Sequence, residues 1–198
     1  MNPPPSSPSE QKKNPRPTLT TNRLVLRPFG LGDAPRVQLL AGDPAIAATT
    51  LTIPHPYEDG LAEKWITSHE DDYKLGRIIH FALTLRDDRL LIGAMSLALQ
   101  NELRSAELGY WIGRPYWNRG YGTEAAAAVI RYGFDKLRLN RIFAVHMTHN
   151  PASGRILEKI GMTKEGCHRQ SQIKYGKFVD LNYYSILRTE YDTQKYST

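Results

Sequence analysis

A glycine turn runs directly into a strongly helix-forming segment at residues 117–134, WNRGYGTEAAAAVIRYGF. Glycine adopts backbone conformations that are closed to other residues, whereas alanine is the best helix former. The first N–H groups of a helix have no partner within it, and the helix dipole adds partial positive charge there. Such a turn can bind an anion such as phosphate. A plain tight turn before a buried helix has the same letters, so the motif is weak alone.

The same segment also fits the dinucleotide fingerprint G-x-G-x-x-A through Gly120, Gly122 and Ala125. That fingerprint requires an acidic residue about 20 positions further on, at the end of the next strand, to hold a ribose. Here the next predicted strand is followed by THNPAS, which contains no carboxylate, and a long stretch of chain precedes the turn. We therefore reject a dinucleotide-binding fold.

Hydrophobic periodicity predicts strands and helices that alternate along the chain. Asp33 and Asn150 are each followed by a proline within two residues, which is typical of a helix start. The pattern predicts a single α/β domain over residues 18–198, with a mixed seven-stranded sheet and about four helices. The predicted strands are 22–29, 79–85, 90–99, 105–113, 141–147 and two more around Tyr175-Gly176, and the predicted helices begin at Asp33, Glu58, Thr123 and Pro151.

Composition limits the function classes. Residues 1–17 contain six prolines and almost nothing apolar, so we expect a disordered tail. The chain contains no run of about 18 apolar residues, so no membrane span is predicted. A net charge of +6 favours anionic partners, but no basic run is dense enough to indicate nucleic acid. The single cysteine, Cys167, fits a reducing compartment such as the cytoplasm.

Three motifs in order resemble the GCN5-related N-acetyltransferase superfamily, and within it the ribosomal-protein N-terminal acetyltransferase branch. They are AELGYWIGRPYWNRGYGTEA, NPASGRILEKIGM and KEGCHR, and the resemblance spans about residues 19–190. It implies a sheet that splays open and acetyl-CoA as cosubstrate. The implied acceptor is an amine, on a peptide N-terminus, a polyamine or an antibiotic-like molecule. We expect a monomer or a homodimer. We expect neither a metal ion nor a membrane as a partner.

The resemblance also implies which residues bind acetyl-CoA. The pyrophosphate is expected on residues 119–124, and the pantetheine arm along a gap between the strands at 105–113 and 141–147. Trp117 stands where the family's phosphate loop begins with Gln or Arg. The implied cofactor-binding residues are Trp111, Ile112, Trp117, Asn118, Arg119, Gly120, Tyr121, Gly122, Thr123, Glu124, Asn150 and Ser153.

Two residues are candidates for acid–base chemistry. Glu107 lies on a strand that otherwise reads as central, where burial raises the pKa of a carboxyl toward that of a useful base. The family resemblance supports a base at this strand, and it implies that Ser153 donates a proton to the departing thiolate. Tyr110, Tyr183 and Tyr184 are alternative donors.

One position departs from the resembled branch. The branch carries a proposed glutamate base in the strand after EGC, where this chain has Gln172, which cannot accept a proton at neutral pH. Either Glu107 or water serves as base, or the acceptor differs from that of the branch. A catalytically silent acyl-CoA-binding module is therefore a second hypothesis. The acidic segments HPYEDG and HEDD are either an attractive edge for a cationic amine or a solvated surface.

Overall fold

The computed structural model describes residues 15–196, with side chains through residue 193. The predicted disordered tail therefore lies largely outside the described residues. Its last residues are described, and they contact the domain. Arg16 donates from Nη2 to the carbonyl of Phe29 at 3.3 Å and lies 3.5 Å from the carboxylate of Glu70. Contacts with the domain thus begin before the predicted boundary at residue 18.

The sheet has eight strands in the order β1-β2-β3-β4-β5-β6-β8-β7. All neighbours are antiparallel except β5 and β6, which are parallel. The additional strand relative to the prediction is β1, whose two residues are too few to show an alternating pattern. The strands are Leu19–Thr20 (β1), Leu24–Arg27 (β2), Ile78–Leu85 (β3), Leu91–Gln100 (β4), Ser105–Ile112 (β5), Arg141–Met147 (β6), Thr163–Lys174 (β7) and Lys177–Leu187 (β8).

The described chain forms six α-helices, including the four that were predicted. The second was missed because it has only six residues, too few for a helical period. Its start is fixed by Asp43, whose Oδ1 accepts a hydrogen bond from the N–H of Ala45 at 2.8 Å. None of the described helices is long and apolar enough to cross a lipid bilayer. The helices are Ala34–Ala41 (α1), Pro44–Thr49 (α2), Leu61–Lys74 (α3), Tyr121–Asp135 (α4), Pro151–Lys159 (α5) and Arg188–Tyr196 (α6).

The two faces of the sheet are covered by different helices. Successive side chains of a strand point to opposite faces, and β5 follows this rule. Leu108 and Ile112 belong to the buried cluster that includes Val129 of α4. Trp111 belongs to a second cluster, with residues of α1 and α3. The alanines of α4 let that helix pack closely: Ala125 and Ala126 are fully buried.

The parallel pair β5–β6 is joined over only three residues of each strand. Ser105, Ala106 and Glu107 pair with residues 141–143, and no pairing follows, although both strands continue. β5 remains paired with β4 and β6 with β8 on their other edges. The strands therefore separate after Glu107, which confirms the predicted splay of the sheet.

Glu124 in the first turn of α4 holds the start of the domain against this helix. Its Oε1 accepts hydrogen bonds from Thr21 Oγ1 at 2.7 Å and from the N–H of Arg23 at 2.8 Å. Its Oε2 accepts from Arg23 Nε at 2.6 Å. Burial alone would raise the pKa of Glu124, but these hydrogen bonds and the Arg23 charge outweigh it and lower the pKa below its usual value.

Replacing Glu124 with glutamine should lower the free energy of unfolding by about 1–3 kcal/mol at neutral pH, because charge-assisted hydrogen bonds are lost. A carboxyl with a depressed folded pKa stabilises the fold above its unfolded pKa, and that stabilisation is lost as the pH falls through the folded pKa. The deficit should therefore shrink below about pH 4.3. Denaturant titrations at several pH values measure it, and Glu102→Gln, at an exposed position, is the control. An equal deficit in both variants would contradict the role of Glu124.

Candidate active site

A cavity of about 1000 Å³ opens where β5 and β6 separate. One end reaches the turn before α4 and one side of α5, from Ala152 to Lys159. The other end lies against α3 and the chain segment that follows α2. The cavity therefore passes from one face of the sheet toward the other through the gap between two strands, and all the predicted site residues except Arg119 and Glu124 line it.

The turn before α4 presents a row of free backbone donors. Asn118 and Gly120 have positive φ angles of 59° and 78°, so the chain coils tightly before the helix begins at Tyr121. The N–H groups of residues 118–123 donate to no acceptor in the described part of the chain, whereas the N–H of Glu124 donates to the carbonyl of Gly120 at 3.1 Å. Successive unpaired N–H groups at a helix start form a site for an anion.

Contacts on either side hold this turn in place. The Trp117 indole Nε1–H donates to the carbonyl of Ile112 at 2.5 Å, which joins the turn to the end of β5. Gly122 is buried, and a Cβ at that position would lie 2.9 Å from Cδ1 of Ile156 on α5. This glycine therefore lets α4 and α5 pack closely as well as lining the cavity.

Two predicted pyrophosphate ligands do not line the cavity. Both the carboxylate and the N–H of Glu124 are already bonded within the protein, as described above. Within the described chain the Glu124 carboxylate thus has a structural role, and its expected contact with the cofactor stays a prediction. Arg119 is exposed, and its carbonyl accepts a hydrogen bond from Arg23 Nη1 at 2.9 Å. Sequence spacing placed both residues at the turn but could not show the direction of their side chains.

Asn150 caps α5, as the sequence predicts. Its Oδ1 accepts a hydrogen bond from the N–H of Ser153 at 3.3 Å. Its Nδ2 donates to the carbonyl of Thr49 at the end of α2, also at 3.3 Å. Asn150 thus fixes the start of α5 beside the cavity and ties it to the chain segment that closes the other side.

Two hydroxyl groups meet across the gap between β5 and α5. Tyr110 OH lies 2.7 Å from Ser153 Oγ, and either can be the donor. Burial raises the pKa of Tyr110 to about 12, although its bond to Ser153 acts in the opposite direction. Both hydroxyls are therefore protonated at neutral pH and line the cavity.

The other two tyrosines considered as donors lie elsewhere. Tyr184 OH donates to Glu158 Oε1 at 3.1 Å, and Tyr183 packs against the ring of His168 with centroids 4.0 Å apart. Neither lines the cavity. Of the candidates weighed from the sequence, the structure thus brings Ser153 and Tyr110 together and places Tyr183 and Tyr184 outside.

Glu107 is a half-buried carboxylate at the point where the strands separate. It lines the cavity and has no hydrogen-bond or ion-pair partner within the described residues. Burial raises the pKa of Glu107 above its usual value. An acidic side chain that is partly desolvated and unpaired can accept a proton from a molecule in the cavity, directly or through water.

The other acidic and amide candidates lie away from the cavity. Gln172, at the position of the branch's proposed base, is exposed on β7 and does not line the cavity. Glu165 pairs with Arg141 at 2.5 Å and accepts from Ser185 at 2.8 Å, so it is structural as expected. Its pKa is lowered to about 2, chiefly by the Arg141 bond.

His146 and His149 lie at or beside the cavity: His146 lines it, and the buried Nε2 of His146 has no hydrogen-bond partner in the described residues. His146 is buried, with Nδ1 2.9 Å from the carbonyl of Met147, and His149 is exposed, with Nε2 3.2 Å from the carbonyl of Ala48. Burial lowers the pKa of His146. Within residues 15–196, no three His, Cys, Asp or Glu side chains are close enough to hold a metal ion together.

No sequence pattern predicts one wall of the cavity, residues 50–54 after α2. Lys174 on β7 holds this segment: its Nζ donates to the carbonyls of Leu51 at 3.2 Å and Ile53 at 2.8 Å. Because Lys174 lies more than 120 residues away along the chain, no local pattern predicts the contact.

Comparison with known proteins shows which family the chain belongs to. The model of the acetyltransferase (GNAT) domain matches residues 23–163. The uncharacterized N-acetyltransferase YoaA of Bacillus subtilis (strain 168) is 35% identical over 174 residues, 87% of this chain and 97% of YoaA. The [ribosomal protein uS5]-alanine N-acetyltransferase of Escherichia coli (strain K12) is 31% identical over 110 residues, 54% of this chain and 57% of that enzyme.

Solved structures have the same fold. A GNAT-family acetyltransferase from Bacillus anthracis superposes with a TM-score of 0.78 at 26% identity, covering 87% of this chain and 99% of that one. The ribosomal L7/L12 alpha-N-protein acetyltransferase RimL, in complex with coenzyme A, superposes with a TM-score of 0.80 at 16% identity, covering 86% and 98%. The fold, the family match and the nearly full-length relative together show that this chain belongs to the GNAT acetyltransferase family.

Proposed function

We propose that the protein is an N-acetyltransferase that transfers the acetyl group of acetyl-CoA directly to a primary amine while both substrates are bound. The observation that carries the proposal is the row of free N–H groups of residues 118–123 at the mouth of the gap between β5 and β6. The relatives named N-acetyltransferases and the coenzyme A complex of RimL support it.

The residues present fit coenzyme A. The backbone donors of residues 118–123 would hold the pyrophosphate, because they are unpaired within the described chain and lie at the positive end of the helix dipole. The edge of β5 beyond Glu107 has no strand partner, so its peptide groups are available to the amides of a pantetheine arm. Arg155 and Lys159 of α5 also line the cavity and supply positive charge.

Glu107 is the residue that would take a proton from the amine. An amine with an ordinary pKa is mostly protonated at neutral pH, and only its neutral form attacks a carbonyl carbon. Glu107 lies in the same cavity, is unpaired in the described chain and has a raised pKa, which suits a base. Bound thioester and amine held close together would supply much of the rate.

Ser153 and Tyr110 would supply the proton for the departing thiolate. Their oxygens lie 2.7 Å apart on opposite sides of the gap. Tyr110 keeps its proton at neutral pH because its pKa is about 12. The ammonium group loses two protons in all. One would pass to Glu107 before the attack and from there to solvent. The second would leave the nitrogen of the tetrahedral intermediate and replace the proton that the Ser153–Tyr110 pair gives to sulfur, so that the amide and the coenzyme A thiol both end neutral.

A catalytically silent module that only binds acyl-CoA is the second candidate. Gln172 in place of the branch's proposed base favoured it, but Gln172 lies outside the cavity. Glu107, which is desolvated without a structural partner in the described residues, favours an enzyme. Release of free coenzyme A in the presence of an amine panel distinguishes the two, since a silent module releases none.

Gly120→Val should weaken coenzyme A binding by more than about tenfold. Valine resists the positive φ of 78° at this position and so would distort the turn that carries the N–H donors, and its Cβ would lie 3.3 Å from Nη2 of Arg23. Gly60→Val is a matched control, because Gly60 also caps a helix at a φ of 84° but does not line the cavity. Calorimetry should show reduced affinity only in the first variant. Equal affinities in two folded variants would reject the phosphate site.

Glu107→Gln should lower kcat by roughly a hundredfold near neutral pH, within the range of acid–base groups, with little change in coenzyme A affinity. The difference from the wild type should narrow as the pH rises toward the pKa of the acceptor, because the amine then loses its proton without help. Steady-state rates from pH 6 to 9 measure it. A wild-type rate at neutral pH would remove Glu107 from the mechanism.

The same substitution should raise the melting temperature at neutral pH. A carboxyl whose folded pKa is raised costs stability once the pH exceeds its unfolded pKa, and glutamine carries no such charge. The gain should disappear below about pH 4, where the carboxyl is protonated in both states. Calorimetric scans at both pH values, with Glu102→Gln as the exposed control, would detect it. A loss of stability at neutral pH would mean that Glu107 has a structural partner.

A further inference from the structure

In the proposed reaction, the acceptor would occupy the half of the cavity that faces α3. The register of β3, β4 and β5 shows which side chains form the floor of this half. Ile78, Ala98 and Glu107 are partners across β3, β4 and β5, and His80, Ser96 and Gly109 form the next row. Because side chains alternate along strands, Ile78, His80 and Glu107 share the face toward α3. Glu107 is therefore on the floor of this half.

The walls of this half are apolar and aromatic. Residues of α3 and of the segment before it line it together with the start of β3, and all of them are partly exposed to the cavity. The wall residues are Ile53, Tyr57, Leu61, Trp65 and Ile78.

Among the described residues that line the cavity, Glu107 is the only carboxylate. The acidic residues of the segments HPYEDG and HEDD point elsewhere: Glu58, Asp59 and Glu70 are exposed and do not line it. Asp72 is bound to Arg77 at 3.0 Å and lies 3.4 Å from Nε2 of His80. Of the two interpretations of these segments, the solvated surface is the one the structure favours.

His80 adds no negative charge to the cavity. Burial lowers its pKa, although Asp72 acts in the opposite direction, so the imidazole is neutral at pH 7. It stacks on the buried ring of His69 with centroids 3.8 Å apart, which fixes its position. The acceptor would therefore meet one negative group, one neutral histidine, the hydroxyls of Thr50 and Thr52 and a wall that is mainly apolar and aromatic.

We infer that the acceptor is a molecule with a single amine next to an apolar or aromatic group, and not a polyamine or an aminoglycoside. This inference rests on the proposed function. One carboxylate can match one ammonium group, whereas each further positive charge would be desolvated against the wall without a partner. An apolar substituent, in contrast, gains from burial there.

The test is the rate of coenzyme A release by the wild-type protein with a graded set of primary amines. From propylamine to hexylamine, kcat/KM should rise about threefold to fourfold for each methylene that becomes buried. Phenethylamine should exceed spermidine and kanamycin by at least about a hundredfold. A spermidine or kanamycin rate above that of phenethylamine would overturn the inference.

A peptide N-terminus with an apolar first residue also presents a single amine next to an apolar group, so it is a second class of acceptor to test. Tetrapeptides beginning with Leu or Phe should be better acceptors than otherwise identical peptides beginning with Ser or Asp. A higher kcat/KM for Leu peptides than for the free amines would identify a protein N-terminus as the source, and the reverse would identify a small molecule. A preference for the Asp peptide would contradict the apolar wall.

A variant tests the wall directly. Leu61→Asp places a carboxylate in the first turn of α3, where an acidic residue suits the helix dipole. It should reduce kcat/KM for phenethylamine and raise that for cadaverine, shifting their ratio by at least about tenfold. Leu39→Asp, at an exposed position of α1 outside the cavity, is the control. An unchanged ratio in folded Leu61→Asp would overturn the inference.

Coenzyme A binding, measured together with coenzyme A release, distinguishes failure of the proposed acetyltransferase function from failure of the acceptor inference. If coenzyme A binds but no amine in either set releases it from acetyl-CoA, the proposed function fails and the acceptor inference fails with it. If amines are acetylated but polyamines are preferred, the function stands and only the acceptor inference is rejected.

Discussion

The end of hydrogen bonding between β5 and β6 is the constraint on which the rest of the site depends. A sheet that stayed paired would leave no opening at this point, because neighbouring strands lie about 4.8 Å apart. Pairing stops after Glu107 and Phe143, and both strands continue with their outer edges still paired. The protein can therefore keep an open gap within a stable sheet, and the unpaired edges remain available to a ligand.

The start of α4 completes the site because it is fixed next to that gap. Trp117 ties the preceding turn to the end of β5, and Glu124 ties the first turn of the helix to Thr21 and Arg23. Neither contact uses the N–H groups of residues 118–123, which stay unpaired within the described chain. The glutamate that resembles a ligand in the sequence thus holds in place the backbone groups that would bind one.

The sequence predicted the elements that have a strong period. Seven of the eight strands and four of the six described α-helices follow from alternation and capping residues. Glu107, Asn150 and Ser153, which were expected at the site from the strand pattern and the resemblance, line the cavity, and their roles stay predictions. Two-residue β1 and six-residue α2 are too short for a period to appear. The contact of Lys174 with residues 51–53 and the orientation of Glu124 depend on tertiary packing, which no local pattern records.

The environment of Glu107 differs from that of the other acidic side chains near the sheet. Every other acidic side chain named at or near the sheet has a partner or is exposed: Glu165 binds Arg141, Asp72 binds Arg77, and Glu124 binds Arg23. Glu107 alone among these combines partial burial with the lack of a partner in the described chain, at a cost in stability that its raised pKa reflects. An apolar wall beside it maintains that desolvation. In the proposed mechanism, the wall that would select an acceptor therefore also raises the pKa of the carboxylate that would deprotonate it, so the same residues would set acceptor choice and base strength.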